Sequence, residues 1–121
     1  MNRIVIVDDS GTARMFIRKC LEIAGCAEAE FHEASDGQQA LEIVEERTPD
    51  LVVTDLTMPG MDGMDLLKAL RGDPRWNEVP VVVITSAKNP AREDELRRSG
   101  AAAVLAKPVS PAVMMSTLEA L

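Results

Sequence analysis

Residues 51–60 read Leu-Val-Val-Thr-Asp-Leu-Thr-Met-Pro-Gly, an apolar run that meets a carboxylate and then a turn-forming Pro-Gly pair. A short, nearly continuous run of β-branched and aliphatic residues is typical of a strand that is covered on both faces of a sheet. Residues 51–54 therefore predict a buried strand. Asp55 would lie directly at its carboxyl end.

The same pattern recurs on either side of this run. Residues 3–7 and 79–84 are also rich in Val and Ile and predict two more buried strands. Residues 28–33 alternate more between apolar and polar residues and predict an edge strand. Residues 102–105 predict a fifth strand.

Helical spacing of apolar residues fills the intervals between these strands. The first helix is predicted to end at Gly25, the second before Pro49 and the third at Gly72. A fourth, at residues 92–99, has few apolar residues and should pack weakly, and a fifth starts near Pro111. The apolar face predicted for the first helix consists of Ala13, Phe16, Ile17, Cys20, Leu21 and Ala24.

Five strands that are each followed by a helix predict a doubly wound α/β fold, with a parallel sheet and helices on both faces. The length of 121 residues predicts one domain, spanning residues 1–121. In such sheets the functional crevice lies beyond the carboxyl ends of the strands.

Composition and charge exclude several classes of function. The net charge of −7 disfavours direct binding to nucleic acid or anionic membranes. The apolar stretch at residues 4–7 is too short for a signal peptide or a membrane span, so we expect a cytoplasmic protein. Cys20 and Cys26 lack partners at metal-ligand spacing, which predicts reduced thiols in a reducing compartment.

Polar residues follow four of the predicted strands. They are Asp8 and Asp9 after the first, Asp55 and Thr57 after the third, Thr85 and Ser86 after the fourth, and Lys107 after the fifth. Three carboxylates at one edge would repel one another unless a cation lay between them. All the candidate ligands are oxygen atoms, and this favours Mg²⁺ over zinc or copper.

Mg²⁺ with few protein ligands, together with the compact charge of Lys107, is typical of a phosphate site. A carboxylate can act there as the nucleophile and form an aspartyl phosphate. Asp55 is the predicted nucleophile because it ends the central buried strand. Asp8 and Asp9 are adjacent and better placed to hold the metal.

The motifs at these strand ends resemble those of bacterial response-regulator receiver domains of the chemotaxis-regulator type, along essentially the whole chain. They lie at residues 5–10, 53–63, 80–87 and 107–108. The resemblance implies a flavodoxin-like five-stranded sheet of strand order 2-1-3-4-5 with five helices. It also implies a cis peptide between Lys107 and Pro108.

The resemblance further implies a role for each residue of the site. Asp55 would accept the phosphoryl group, and Lys107 would pair with it. Thr85 would be the switch hydroxyl, with Ser86 as the rival for that role. The implied ligands of Mg²⁺ are Asp9, Asp55 and the Thr57 main-chain carbonyl, with Asp8 acting through water.

The implied function is a phosphorylation-activated switch of a two-component phosphorelay, not an enzyme acting on other substrates. The implied partners are a sensor histidine kinase or histidine phosphotransfer protein and a target bound through the face formed by helix 4, strand 5 and helix 5. Val104 replaces the usual switch aromatic, and the residues flanking the path of water in the family are Thr57 and Ala87. Three other functions remain open: a relay intermediate, a phosphorylation-independent binding module and an aspartyl-phosphate phosphatase.

Overall fold

The computed structural model describes residues 1–86 and 89–121. Within them lies one sheet of five parallel strands in the order β2-β1-β3-β4-β5, which confirms the predicted topology. The strands are β1 (Arg3–Val7), β2 (Glu30–Ala34), β3 (Leu51–Asp55), β4 (Val81–Thr85) and β5 (Ala103–Ala106). The predicted motif at residues 80–87 reaches Ala87, which lies outside the described residues.

Five α-helices connect and flank the strands. They are α1 (Gly11–Leu21), α2 (Gly37–Glu46), α3 (Gly63–Arg71), α4 (Pro90–Arg98) and α5 (Pro111–Glu119). Helix α1 continues into a π-helical turn, Glu22–Cys26, in which Gly25 adopts a φ of 114°. That conformation is open to glycine and strained for other residues. Helix α1 itself ends at Leu21, before the predicted stop, and the helical φ and ψ angles of the π-helical turn are interrupted at Gly25.

The helices form a layer on each face of the sheet. Alternate side chains of the strands pack with α2, α3 and α4 in one apolar cluster and with α1 and α5 in another. Every residue of β3 and β4 is buried, and so are four of the five residues of β1. The nearly continuous apolar runs therefore mark strands covered on both sides, as predicted.

Each helix begins at a side chain that caps its first turn. The capping residues accept a hydrogen bond from the backbone N–H three positions later, and they are Ser10, Asp36, Asp62, Asn89 and Ser110. A cap of this kind contributes about 1 kcal/mol to helix stability. Each cap fixes the residue at which a loop ends and a helix begins. The loops that follow the strands are therefore anchored at their far ends.

The predicted apolar face of α1 is wrong at one position. Ile17, Cys20 and Leu21 are buried, but Phe16 is 49% exposed. Helix α4 buries only Leu96 among its nine residues, which confirms its weak packing. The peptide between Lys107 and Pro108 is cis, as predicted.

Among residues 1–86 and 89–121, none of the helices combines the length and the hydrophobicity needed to cross a bilayer.

Candidate functional site

The register of the sheet brings the predicted residues to one edge. Val7 pairs with Thr54 and Thr85 pairs with Ala106. Asp8 and Asp55 are the next residues after the first pair, and Lys107 follows the second. Because parallel strands end at the same edge, these three side chains meet above the centre of the sheet.

Three carboxylates form a compact group at this edge. Asp8, Asp9 and Asp55 each offer an oxygen atom, and these atoms all lie within 4.8 Å of one another. Asp8 is 1% exposed and Asp55 is 6% exposed, whereas Asp9 is exposed to solvent. A donor set made only of carboxylate oxygens, open on one side, fits a hydrated Mg²⁺ ion.

Lys107 lies between two of these carboxylates. Its Nζ atom is 3.3 Å from Asp8 Oδ2 and 3.3 Å from Asp55 Oδ2. The Lys107 backbone N–H also donates to the Thr85 carbonyl at 2.9 Å, which extends the pairing of β4 and β5 by one residue. The single ammonium group thus compensates part of the negative charge at the ends of β1 and β3.

The shifted pKa values of Asp55 and Lys107 indicate an incomplete balance of charge. Burial and the negative charge of Asp8 raise the pKa of Asp55, although Lys107 and the Thr57 backbone N–H act in the opposite direction. Burial would lower the pKa of Lys107, but the charges of Asp55 and Asp8 outweigh it and raise that pKa. An additional cation at the cluster would relieve the remaining repulsion.

The backbone around the cluster is held by hydrogen bonds that the sequence does not reveal. Asp8 Oδ1 accepts the Ser10 N–H at 2.9 Å, and the Asp8 carbonyl accepts from the guanidinium of Arg14. The Thr54 hydroxyl donates to the Asp55 carbonyl at 2.9 Å. These hydrogen bonds therefore hold the Asp8 carboxylate and the main chain at Asp8 and Asp55.

The two hydroxyl groups at the end of β4 differ in their surroundings. Thr85 is buried and lines a groove of about 310 Å³ together with Thr57 and Asp62. Ser86 is exposed just beyond the strand. The groove therefore runs from Thr85 at the end of β4 to Thr57 in the loop after β3.

Glycine 63 sets the path of the loop after β3. Its N–H donates to the Leu56 carbonyl at 2.9 Å, and a Cβ atom at this position would lie 2.9 Å from Leu56 Cα and would contact the Asp55 carbonyl. Asp62 and Asp65 form a capping box at the start of α3, so both side chains stabilise the first turn of that helix. The close approach of Gly63 was not foreseen from the sequence.

An apolar cleft of about 390 Å³ adjoins the acidic group. Phe16 and Ile17 of α1 form one wall, while Lys107, Pro108 and Val109 belong to the other. The partial exposure of Phe16 creates this cleft. The helical spacing of apolar residues cannot predict this exposure, because positions at the margin of an apolar face fit the same spacing as positions at its centre.

We expect Asp55→Asn to stabilise the protein when Mg²⁺ is absent. Because the folded-state pKa of Asp55 is raised, its contribution to stability is present below about pH 3.8 and is lost as pH rises through that raised pKa. At pH 7 the variant should be more stable by about 1 kcal/mol, or about 4 °C in Tm. Near pH 3.5 the difference should vanish.

Thermal unfolding of both proteins at the two pH values, with EDTA present, measures this difference. Asp94→Asn on the exposed side of α4 is the control, since Asp94 lies on the far side of that helix from the buried residue Leu96. A variant less stable than the wild type at pH 7 would contradict the repulsion at the site.

Comparison with known proteins gives matches over almost the whole chain. The family model described as "Response regulator receiver domain" matches residues 4–119. The chemotaxis protein CheY of Pseudomonas aeruginosa is 35% identical over 117 residues, which cover 97% of this chain and 93% of that protein. CheY1 of Helicobacter pylori is 33% identical over 118 residues, covering 97% and 94%.

Solved structures agree with these sequence matches. The chemotaxis response regulator CheY4 of Vibrio cholerae superposes with a TM-score of 0.87 at 30% identity, over 100% of this chain and 99% of that chain. The BeF3-activated N-terminal receiver domain of RstA from Klebsiella pneumoniae gives 0.84 at 30% identity, over 98% and 96%. The similarity therefore extends through both the sequence and the fold.

Proposed function

The chain belongs to the response regulator receiver domain family of two-component systems, and on that premise we propose that residues 1–121 form one receiver domain that is phosphorylated on Asp55. The proposal rests chiefly on one observation. Asp55, at the end of the central strand, lies within 4.8 Å of two further carboxylates and 3.3 Å from the Lys107 ammonium. The buried Asp55 carboxylate thus lies next to two carboxylates that can bind a cation and next to an ammonium group that can bind a phosphate.

The chemistry proposed for Asp55 is a direct phosphoryl transfer. A carboxylate oxygen attacks phosphorus, the new oxygen–phosphorus bond forms, and the bond between phosphorus and the donor breaks with its electron pair leaving on the donor. Asp55 needs no base because it reacts as the carboxylate. Phosphoryl transfer asks the protein mainly for positioning and for neutralisation of charge, and the fixed backbone around Asp55 provides the first of these.

The residues present fit one Mg²⁺ ion. Asp9, Asp55 and the Thr57 carbonyl would hold it directly and Asp8 through water. Bound there, Mg²⁺ would neutralise charge on the transferred phosphoryl oxygens. Lys107 would supply the second positive charge from the end of β5, since it already contacts Asp55.

Phosphorylation would change the partners of two further residues. A dianionic group on Asp55 attracts Lys107 more strongly than the carboxylate does, and the Thr85 hydroxyl can donate to it. Both residues end strands that border the α4-β5-α5 face. Helix α4 buries only Leu96 of its nine residues, so its packing on the sheet can be altered readily.

The side chain at Val104 makes this switch different from one that moves an aromatic ring. Val104 is buried and packs in the cluster with α2, α3 and α4. A valine side chain is short and its χ1 rotamers are restricted, so it cannot transmit a signal by a large rotamer change. We therefore propose that the signal reaches the α4-β5-α5 face through the backbone of the strand ends and through α4.

The phosphoryl donor that we propose is a histidine kinase or a histidine phosphotransfer protein, and the target is a protein bound on the α4-β5-α5 face. The apolar cleft supports a protein donor, because it offers an apolar contact surface beside Lys107, which itself contacts Asp55. The net charge of −7 opposes direct contact with nucleic acid.

Other functions share parts of this geometry. A relay intermediate would use the same site and return the phosphoryl group to a second histidine. A phosphorylation-independent binding module would not need Lys107 and three carboxylates to converge. A phosphatase that uses an aspartyl intermediate commonly has an acid two residues after the nucleophile, where this chain has Thr57. The receiver switch accounts for the most residues of the site.

Binding of Mg²⁺ tests the metal part of this proposal. We expect Asp9→Asn to weaken Mg²⁺ binding at least about 100-fold, because a direct ligand contributes more than the tenfold to 100-fold typical of residues behind the ligands. Isothermal calorimetry measures the affinity, with Glu119→Gln at the far end of α5 as the control. Equal affinity of the wild type and Asp9→Asn would exclude Asp9 as a ligand.

A further inference from the structure

Arg14 connects three elements behind the acidic cluster. From the second turn of α1, its Nη1 atom donates to the carbonyl of Asp8 at the end of β1. Its Nε atom donates to Glu33 Oε1 in β2 at 2.8 Å. The Arg14 side chain is only 20% exposed, so this contact is more protected than an ordinary surface ion pair.

The carbonyl that Arg14 holds belongs to the peptide between Asp8 and Asp9. Because a peptide unit is planar, fixing this oxygen fixes the direction in which the chain leaves Asp8 and enters Asp9. The Asp8 N–H donates to the Ala34 carbonyl, and the Asp8 carboxylate accepts from the Ser10 N–H. The N–H and the side chain of Asp8 are therefore held as well. Arg14 completes the set of contacts on the Asp8 backbone.

Asp9 depends on this peptide more than the other two carboxylates do. Asp8 and Asp55 are buried and contact Lys107, whereas Asp9 is exposed, and within residues 1–86 and 89–121 its carboxylate has no hydrogen bond or ion pair. Its position near the other carboxylates is therefore set by the backbone. A peptide free to rotate would let Asp9 spend more time away from them.

We propose that Arg14 is a positioning residue for Mg²⁺, held in turn by Glu33. Arg14 is not a ligand, since a guanidinium has no acceptor atom. Its planar set of donors can reach the Asp8 carbonyl and the Glu33 carboxylate at once, which the single ammonium of a lysine does less well. This proposal rests on the proposed Mg²⁺-binding function and adds a residue that lies outside the ligand set.

The test is the Mg²⁺ affinity of the full chain, measured by calorimetry, for the wild type, Arg14→Gln and Glu33→Gln. We expect binding to weaken by about tenfold in Arg14→Gln, the lower end of the range for residues behind metal ligands. Glu33→Gln should weaken it by roughly threefold, because only the support of the guanidinium is lost. In the Arg14→Gln background the Glu33 substitution should have no further effect.

Arg18→Gln is the matched control, since Arg18 lies one turn along α1 and contacts Glu22 and the ring of Phe31 instead. It should leave Mg²⁺ affinity unchanged. The metal-free Tm of each variant shows whether an effect on affinity is separate from one on folding. If Arg14→Gln does not fold, Glu33→Gln decides the question, because it leaves the arginine in place.

The outcomes separate this proposal from the proposed function. If Arg14→Gln and Glu33→Gln both bind Mg²⁺ with wild-type affinity, the positioning role is overturned. The proposed function stands in that case if Asp9→Asn still loses Mg²⁺ binding. A loss of Mg²⁺ affinity in Arg18→Gln equal to that in Arg14→Gln would also overturn the positioning role. The effect would then come from the loss of any positive charge on α1. Failure of the wild type to bind Mg²⁺ would overturn both.

Discussion

Replacing Lys107 by glutamine is expected to slow phosphorylation by acetyl phosphate at least about 100-fold, even at saturating Mg²⁺. Lys107 carries the ammonium group that lies 3.3 Å from the Asp55 carboxylate, where charge would develop on the phosphoryl group in the proposed transfer. Loss of one such donor typically costs a factor of about 100 to 1000 in rate. Glutamine preserves much of the length of the side chain but carries no charge.

The rate is measured by following the phosphorylated mass over time at several Mg²⁺ concentrations. Lys68→Gln on the exposed face of α3 is the control and should react like the wild type. The maximal rate, rather than the Mg²⁺ dependence, should fall in Lys107→Gln. A maximal rate equal to that of the wild type would show that Lys107 only balances charge in the unphosphorylated protein.

Gly63→Ala is expected to lower the free energy of unfolding by about 2 kcal/mol. Its Cβ would lie 2.9 Å from Leu56 Cα and would also contact the Asp55 carbonyl. These are backbone atoms of the site, so they cannot move as a flexible side chain does. Alanine normally favours a helix by about 1 kcal/mol over glycine, and the expected loss shows that the backbone contact outweighs this preference.

Chemical denaturation of Gly63→Ala and of Gly11→Ala measures the difference. Gly11 is the control because a Cβ there would meet only the end of the Arg14 side chain, at 3.4 Å. Gly63→Ala should also bind Mg²⁺ more weakly, since the loop that carries the Thr57 carbonyl must shift. Equal stability of Gly63→Ala and the wild type would show that the loop yields without cost.

The sheet could be predicted because its central strands are buried on both faces. Nearly every residue of β1, β3 and β4 must then be apolar, and the runs appear directly in the sequence. Edge strand β2 packs on both faces, but only Ala34 of its five residues is buried, and its predicted start was two residues early, at 28 rather than 30. Interior strand β4 was also predicted to start two residues early, at 79 rather than 81. Strand boundaries depend on pairing with neighbouring strands, which the local sequence does not encode.

The convergence of Asp8, Asp55 and Lys107 could be predicted for a related reason. In a parallel sheet the carboxyl ends of all strands share an edge, so the residue after each strand is placed once the strands are known. The burial of Thr85 and the exposure of Ser86 could not be predicted from this rule alone. The two differ by one position in the chain, and the strand end, not the residue type, decides which hydroxyl is buried.

The contacts of Arg14 and the exposure of Phe16 could not be predicted from the sequence. Arg14 has the spacing of a solvated helix residue, and its two partners lie on different strands, Asp8 on the end of β1 and Glu33 on β2. Phe16 has the spacing of a core residue but lies at the margin of the buried face. Both depend on how α1 is rotated over the sheet, which packing determines.

The measurement that tests the central claim most directly is the intact mass of the wild type and Asp55→Asn after incubation with acetyl phosphate, with and without Mg²⁺. We predict one added phosphoryl group on the wild type, dependent on Mg²⁺, and none on Asp55→Asn. Binding of beryllofluoride to the wild type controls for a product too short-lived to detect. No adduct and no beryllofluoride binding, or an equal adduct on Asp55→Asn, would contradict phosphorylation at Asp55.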